Sequence, residues 1–225
     1  MSKKLKGPVK KVWESKIKQQ PSKNLHISYS SISTYNKCPR LWEKQYLRNE
    51  IPFTQNIYTC FGTAMHETIQ EWLTVLYHDT VKAAMEIDLD KLLYANMVKA
   101  YRMGKASMNG DHFSSADELS QFYLDGKHIL DFLKKKRNAY FTTKNNMLAG
   151  VETLLYQELQ PGVMFKGLID LVFYNKNTDE WTIIDIKTST SGWRDQQKKN
   201  PNLTAQVILY QEFFARQFGV DKDKI

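Results

Sequence analysis

The spacing of apolar residues changes along the chain and separates a helical part from a part built of strands. Up to about residue 141, apolar residues recur every three or four positions, as in "FGTAMHETIQEWLTVLYH", which is typical of amphipathic helices. From Gly150 onward, the runs "VETLLYQEL", "VMFKGLIDLVFY" and "EWTIIDIKT" are separated by the turn compositions "QPG" and "NKNTD". This pattern predicts helices followed by a three-strand meander. The stretch "LTAQVILYQEFFARQFG" then predicts a helix that ends at Gly219.

Local signals predict where several helices begin. Ser30 or Ser31 is predicted to cap a helix that Pro39 kinks or splits. Ser115 and Glu118 form a capping-box pattern in front of a long helix. We therefore expect a helical insertion at about 79–141, inside a domain that covers residues 25–225.

The net charge of +8 is concentrated at the start of the chain. Residues 1–23 contain eight lysines and one acidic residue, whereas the remainder holds 24 basic and 23 acidic residues. Residues 1–24 are therefore predicted to form a basic flexible tail. Such a tail is usually solvated, but it could also attract phosphates in a salt-dependent way.

Membrane and secretory classes are disfavoured by the composition. No apolar run approaches the roughly 20 residues that span a bilayer, and the start lacks the apolar segment of a signal peptide. We expect a soluble, cytoplasmic protein without membrane contact. Its two cysteines, Cys38 and Cys60, are too few for a disulfide framework and are expected to be reduced.

The strand register predicts a row of acids. On a strand, Asp185 and Lys187 share one face, opposite to the face of their isoleucine neighbours. If the turn is centred between residues 177 and 178, Asp170 lies directly across from Asp185. If the preceding hairpin is centred near Pro161, Glu152 joins the same row.

Like charges at such spacing repel, so a row of acids needs compensation. A hard divalent cation would turn the repulsion into binding, and the row therefore predicts a Mg²⁺ or Mn²⁺ site. Gly167 is expected to let a substrate or another backbone approach the strand. An Asp-x-Lys on a single strand would otherwise be a solvent-facing ion pair that contributes little.

The segments "GLIDLVFY", "WTIIDIKTS" and "QVILY", in this order, resemble the PD-(D/E)xK nuclease superfamily and specifically its RecB-type exonuclease branch. Upstream, "FGTAMHETIQEW" is similar to the Gly-x-x-x-His helix of that branch, and "SYSSISTYNKCPRLWEKQYL" is similar to its N-terminal helix. The resemblance implies an α/β fold with a restriction-endonuclease-like core, in which a three-strand meander and a helix form a mixed sheet with N-terminal helices. The family's next core strand would begin at "DKDKI", so the chain is expected to lack a C-terminal strand.

Roles for individual residues follow from the resemblance. Asp170 and Asp185 resemble the metal ligands, and His66 an additional ligand. Lys187 resembles the residue that orients the attacking water and stabilises charge on the phosphoryl group. For His66, a satisfied core histidine is the alternative interpretation.

Three further residues are matched less tightly. Gln206 and Tyr210 correspond to the Gln-x-x-x-Tyr pair beside the site, although a purely structural role is an equal alternative for both. Glu152 corresponds to an acid at the start of the first strand. All three are predicted to belong to the catalytic region.

The loop after the third strand is a candidate DNA contact. Trp193 and Arg194 could stack on a base and contact a phosphate, and Lys198 and Lys199 could add phosphate contacts. A packed tryptophan and a solvated pair of lysines are the alternatives.

Some members of the family bind an iron–sulfur cluster through one N-terminal cysteine and three C-terminal ones. Cys38 matches the first, but no cysteine follows Cys60, so no iron–sulfur cluster is expected from this chain. Cys38 is predicted to be a buried small hydrophobe.

The predicted function is metal-dependent hydrolysis of phosphodiester bonds in DNA. The resemblance implies an exonuclease that acts on DNA ends or single strands in recombination, repair or replication. Two alternatives remain open: a non-catalytic DNA-binding module, and an endonuclease or CRISPR-adaptation-type end trimmer.

Overall fold

A computed structural model describes residues 6–15, 25–188, 195, 199 and 201–225. The helices are α1 (Gly7–Glu14), α2 (Tyr29–Lys37), α3 (Pro39–Trp42), α4 (Ile57–His78), α5 (Val81–Glu86), α6 (Leu89–Ser107), α7 (Ala116–Lys135), α8 (Arg137–Tyr140) and α9 (Pro201–Phe218). The strands are β1 (Leu25–Ile27), β2 (Asn146–Gln160), β3 (Val163–Asn175) and β4 (Glu180–Ile184). A π-helical turn, Glu43–Leu47, follows α3, and a 3₁₀ turn, Lys222–Lys224, follows α9.

The chain divides into two compact units, a helical unit and a sheet unit. The helical unit contains Thr54–Leu148 and Ile186–Thr188. The sheet unit contains the described residues of Lys4–Phe53, Ala149–Asp185 and Ser189–Ile225. The predicted insertion at 79–141 is helical, as expected, but the helical unit begins earlier and includes α4. None of the described helices combines the length and apolarity needed to cross a bilayer.

The sheet unit contains the predicted meander and one additional strand. β3 is central, with β2 on one side and two short strands on the other. β1 runs parallel to the start of β3, and β4 runs antiparallel to its end. The predicted mixed α/β fold, consistent with a restriction-endonuclease-like architecture, is confirmed.

Among the residues that the structure describes, β1 and β4 pair with separate parts of the same side of β3. β1 pairs with residues 163–165 and β4 with residues 171–175. Residues 166–170 therefore lie between the two pairings. Gly167 and Asp170 are both in this interval.

Helix α9 packs on the sheet through aromatic rings. The rings of Phe165 and Phe213 stack with centroids 4.0 Å apart, and Phe214 lies 5.4 Å from Trp181. The predicted end of this helix is confirmed, because Gly219 follows Phe218 with a φ of +65°, a left-handed conformation that glycine adopts without strain.

Helix α1 corrects the prediction of a flexible basic tail for residues 7–15. Val9 and Val12, three residues apart, are buried, and Pro8 is in the first turn, where its missing N–H costs nothing. Beyond the helix, Ser15 donates its hydroxyl to the carbonyl of Leu154 on β2 over 2.7 Å. Two valines on one helix face therefore help to fix a segment that also carries Lys10, Lys11 and Glu14.

The predicted cap of α2 was also wrong. Ser28, not Ser30 or Ser31, precedes the helix, and its side chain accepts a hydrogen bond from the Ser31 N–H. Ser31 is buried inside the helix and accepts a hydrogen bond from the Trp42 indole. The prediction that Pro39 splits the helix is confirmed, because α3 begins at that residue.

The helical unit is built around α4. Its capping box is made by Asn56 and Thr59, and its buried residues recur at helical spacing. Thr68 and Asn96, from α4 and α6, form a buried hydrogen bond of 3.1 Å between these two helices. The predicted capping box of Ser115 and Glu118 is present at the start of α7.

Candidate active site

The predicted register of the second hairpin is confirmed. Leu171 pairs with Ile184 and Val172 pairs with Ile183, so one further step along the same register aligns Asp170 with Asp185. The turn sets this register, because the Asn175 side chain accepts hydrogen bonds from the N–H groups of Asn177 and Thr178. Two acids are therefore aligned where the β3–β4 pairing ends.

Burial distinguishes the two acids. Asp170 is only 8% exposed, within a stretch of β3 whose neighbours are buried, whereas Asp185 is half-buried. A buried acid that is aligned with a second acid is the arrangement expected of a binding or catalytic site.

The predicted strand through Lys187 is shorter than expected. β4 ends at Ile184, and residues 185–188 have no regular secondary structure. Leu168, the residue that the register would pair with Lys187, has its backbone hydrogen-bonded to the Tyr210 hydroxyl. Lys187 is exposed and follows Asp185 by two positions.

Gln206 of α9 lies beside Asp185 and is hydrogen-bonded to Tyr210, and the catalytic role of both residues stays a prediction. The Gln206 side-chain amide donates to Asp185 Oδ1 over 3.0 Å and to the Tyr210 hydroxyl over 2.8 Å. Burial raises the pKa of the Tyr210 phenol, and the charges of Asp185 and Asp170 add to this effect, so the phenol stays protonated at neutral pH. The Gln206 amide is thereby held with one donor on the carboxylate.

Gly167 has a different role from the one predicted. A Cβ at this position would lie 2.8 Å from Tyr210 Cε1 and 3.1 Å from Phe165 Cε1. The absent side chain makes room for the Tyr210 ring, not for a substrate or another backbone. No sequence signal pairs these two residues, because the contact depends on how α9 crosses the sheet.

Glu152 does not complete the predicted three-acid metal row. The residues that the structure describes contain no group of three His, Cys, Asp or Glu side chains placed to hold a metal ion. Glu152 has a φ of +50° inside β2, the left-handed conformation that interrupts regular strand alternation at a bulge. The simple register could not anticipate this change.

His66 lies in the helical unit, on α4, and is half-buried. One turn earlier, a Cβ on Gly62 would approach Thr188 Oγ1 to 3.3 Å, so the small residue at this position lets the segment after Asp185 pass close to α4. The role of His66 as a third metal ligand stays a prediction.

The predicted DNA contacts fall mostly outside the described residues. Trp193, Arg194 and Lys198 are not described. Lys199 is exposed in a turn, and its N–H donates to the carbonyl of Asp195. Cys38 is exposed, which corrects its predicted burial. It lies between the end of α2 at Lys37 and the start of α3 at Pro39.

The donor set near Asp170 and Asp185 fits a small, hard divalent ion. Mg²⁺ is commonly held by one or two carboxylates, with water and substrate phosphates completing the octahedron. The carboxylate of Asp170 on β3 and that of Asp185 just after β4 match that requirement, and a structural Zn²⁺ site, which needs four nitrogen or sulfur ligands, does not fit them.

An acid in a central strand, an Asp-x-Lys after the next strand, and a helix that supplies a glutamine to the second acid are consistent with the restriction-endonuclease-like fold. A sequence model of the PD-(D/E)XK nuclease superfamily matches residues 26–224, and the chain belongs to that superfamily. Membership indicates a nuclease with DNA as its substrate, and nucleases of this superfamily generally use divalent metals. No curated protein matches the chain.

Proposed function

We propose that this protein is a Mg²⁺- or Mn²⁺-dependent deoxyribonuclease of the RecB-type branch, and that it acts as an exonuclease on DNA ends or single strands. The observation that carries the proposal is the alignment of Asp170 with Asp185, with Gln206 hydrogen-bonded to the second acid. Recombination, repair or replication is the proposed setting, on the strength of the sequence resemblance.

The roles of the residues follow from their chemistry. Asp170 and Asp185 would hold the divalent ion, whose contribution when bound is to polarise the phosphoryl group and to lower the pKa of water. Gln206 orients Asp185 through its donated hydrogen bond, and Tyr210 in turn fixes Gln206. Lys187 would place a positive charge near the scissile phosphate and assist proton transfer.

Glu152 and His66 have less direct support. His66 is proposed as an additional ligand because of its position in the Gly-x-x-x-His pattern. Glu152 is proposed to act at the edge of the catalytic region, since its left-handed backbone conformation is the kind that active-site strands tolerate at bulges. Trp193, Arg194, Lys198 and Lys199 are proposed to contact DNA.

The test is degradation of linear DNA labelled at either end, single-stranded or duplex, with Mg²⁺, Mn²⁺ or EDTA. Asp185→Asn and Lys187→Ala should abolish metal-dependent cleavage while the protein stays folded. Two substitutions on the same hairpin serve as matched controls. Glu180→Gln alters an exposed acid at the far end of β4, and Lys176→Ala alters a lysine in the turn.

The outcomes separate the alternatives. Loss of one end label before the other, with closed circular DNA left intact, supports the exonuclease and gives its polarity. Cutting of closed circular DNA would instead identify an endonuclease. Retention of DNA in a binding assay without cleavage in either metal would identify a non-catalytic DNA-binding module and overturn the proposal.

A further inference from the structure

Helices α6 and α7 enclose a cavity of about 400 Å³ within the helical unit. Cavities that bind small molecules are about 300–1,000 Å³. Residues Tyr94, Tyr101 and Arg102 of α6 line it, with Tyr123 and Ser120 of α7. These positions recur at helical spacing, so each helix turns one continuous face toward the cavity.

Three tyrosine rings line this cavity. Tyr94 is 61% exposed although its ring contacts that of Tyr123, with centroids 6.1 Å apart and planes at 80°. Met97, at the base, is buried. An exposed aromatic ring above an apolar base is suited to a planar ligand, because stacking on such rings needs no specific hydrogen-bond pattern.

The polar groups at the cavity are hydrogen-bond donors. Arg102 is exposed and forms no ion pair with any residue in the part of the chain that the structure describes. Lys105 donates to Nε2 of His112 over 2.9 Å, so the proton of a neutral imidazole resides on Nδ1, 2.7 Å from the Tyr101 oxygen. Tyr101 thus accepts from His112 and keeps its own O–H as a donor.

Nearby acids are engaged elsewhere. Asp90 pairs with Lys127, whose ammonium group lies 5.6 Å from the centre of the Tyr123 ring. Glu118, next to the α7 wall, accepts hydrogen bonds from the Ser115 N–H and the Ser114 hydroxyl. The Tyr123 hydroxyl donates to the Asp90 carbonyl over 3.4 Å. The Arg102 guanidinium and the Tyr101 hydroxyl are therefore the donors suited to a ligand that carries acceptors or negative charge.

We propose that this cavity binds one unpaired nucleotide of single-stranded DNA, with its base against Tyr94 and Tyr123 and a phosphate on Arg102. The inference rests on the proposed function and adds to it a binding site in the helical unit. A free nucleotide has the same chemistry, so the experiment must distinguish it from a nucleotide within a strand.

The test measures the affinity of a fluorescent oligothymidylate for the full chain carrying Asp185→Asn, in EDTA, where cleavage cannot occur. Tyr94→Leu should weaken binding about fivefold or more, because loss of a base–aromatic stack costs at least about 1 kcal/mol. Arg102→Gln should also weaken binding and should reduce the slope of log affinity against log salt by about 0.7, the value for one lost phosphate contact on a single strand. Tyr94→Leu should leave that slope unchanged.

Two control variants match these changes within the same unit. Tyr140→Leu removes a tyrosine of similar exposure on α8, and Lys82→Gln removes one exposed positive charge on α5. Neither should alter affinity for the strand by more than a small factor. Equal weakening by the controls, or unchanged binding by both cavity variants, would overturn the proposal.

A competition arm identifies the source of the nucleotide. If thymidine monophosphate displaces the oligonucleotide only at much higher concentration, the strand is the ligand; displacement at equal concentration would assign the cavity to free nucleotides and overturn the strand proposal. The binding result is independent of cleavage. A chain that binds through Tyr94 and Arg102 but never cuts DNA would refute the nuclease proposal and leave this inference standing.

Discussion

Replacing Gly167 with alanine should disturb the candidate active site although it removes no charged or hydrogen-bonding group. The added Cβ would lie 2.8 Å from the Tyr210 ring and 3.1 Å from the Phe165 ring, whereas carbon atoms in contact prefer about 3.5–4.0 Å. Tyr210 is only 5% exposed, so its ring has little space into which to move. Any movement of the Tyr210 ring therefore also displaces Gln206, which is hydrogen-bonded to the Tyr210 hydroxyl.

The expected magnitudes follow from this geometry. Overpacking of a buried site costs about 1–3 kcal/mol, which for a chain of this size corresponds to a melting temperature lower by roughly 2–12 °C. Displacement of Gln206 by even part of an ångström would lengthen its 3.0 Å hydrogen bond to Asp185. Misplacement of an active-site group on this scale can reduce kcat by up to about 100-fold.

The assay combines thermal unfolding with cleavage kinetics in a double-mutant cycle with Tyr210→Ala. Removal of the ring removes the clash, so Gly167→Ala should destabilise the Tyr210→Ala protein much less than the parent. Cleavage should remain slow in the double variant, since the hydroxyl that fixes Gln206 is also gone. DNA affinity should change little in all three proteins.

Two results would refute this reasoning. An unchanged melting temperature and rate for Gly167→Ala would mean that the Tyr210 ring does not lie over this glycine. An equal loss of stability in both backgrounds would mean that the clash involves Phe165 or the strand itself.

Three further predictions concern the helical unit and the cysteines. Asn96→Ala should lower the free energy of unfolding by about 1–3 kcal/mol in denaturant titrations, because it removes the donor to Thr68 between two buried helix faces; an unchanged midpoint would contradict this. Cys60 is buried, which raises the pKa of its thiol to about 11, whereas Cys38 is exposed. Iodoacetamide at pH 8 should therefore label Cys38 first, and equal rates by peptide mass spectrometry would disprove the difference. The cap hydrogen bonds lower the pKa of Glu118, so its stabilising effect is present at neutral pH and is lost as the pH falls through that lowered pKa; Glu118→Gln should flatten the acid limb of the stability curve, and an unaltered limb would refute this role.

The alignment of the two acids could be predicted because short-range chemistry decides it. The turn composition between β3 and β4 fixes the hairpin, and a side-chain period of two then determines which residues are opposed. The same reasoning gave the wrong result for Glu152, because this residue itself has a left-handed backbone conformation. A register counted from the turn therefore predicts opposed residues only as far as the strand stays regular.

Other features depend on contacts that are distant in sequence. β1 has three residues, too few for a recognisable alternation, and exists because it pairs with β3. The contact of Tyr210 with Gly167 depends on the path of α9 across the sheet. In contrast, the Gln-x-x-x-Tyr spacing alone was sufficient to predict that both side chains lie on one face of α9, because residues four apart are neighbours on a helix.

Helix α1 and Ser15 also shield the outer edge of β2. That strand lies at the end of the sheet order, and its Leu154 carbonyl accepts hydrogen bonds from the Ser15 hydroxyl and the Gln217 side-chain amide. A lysine-rich leader of this kind would commonly be trimmed for expression or crystallisation. Trimming it here would remove the two buried valines and expose a stretch of open strand edge, the kind of surface through which sheets of separate molecules join, so aggregation in place of improved behaviour is the expected result of shortening the chain.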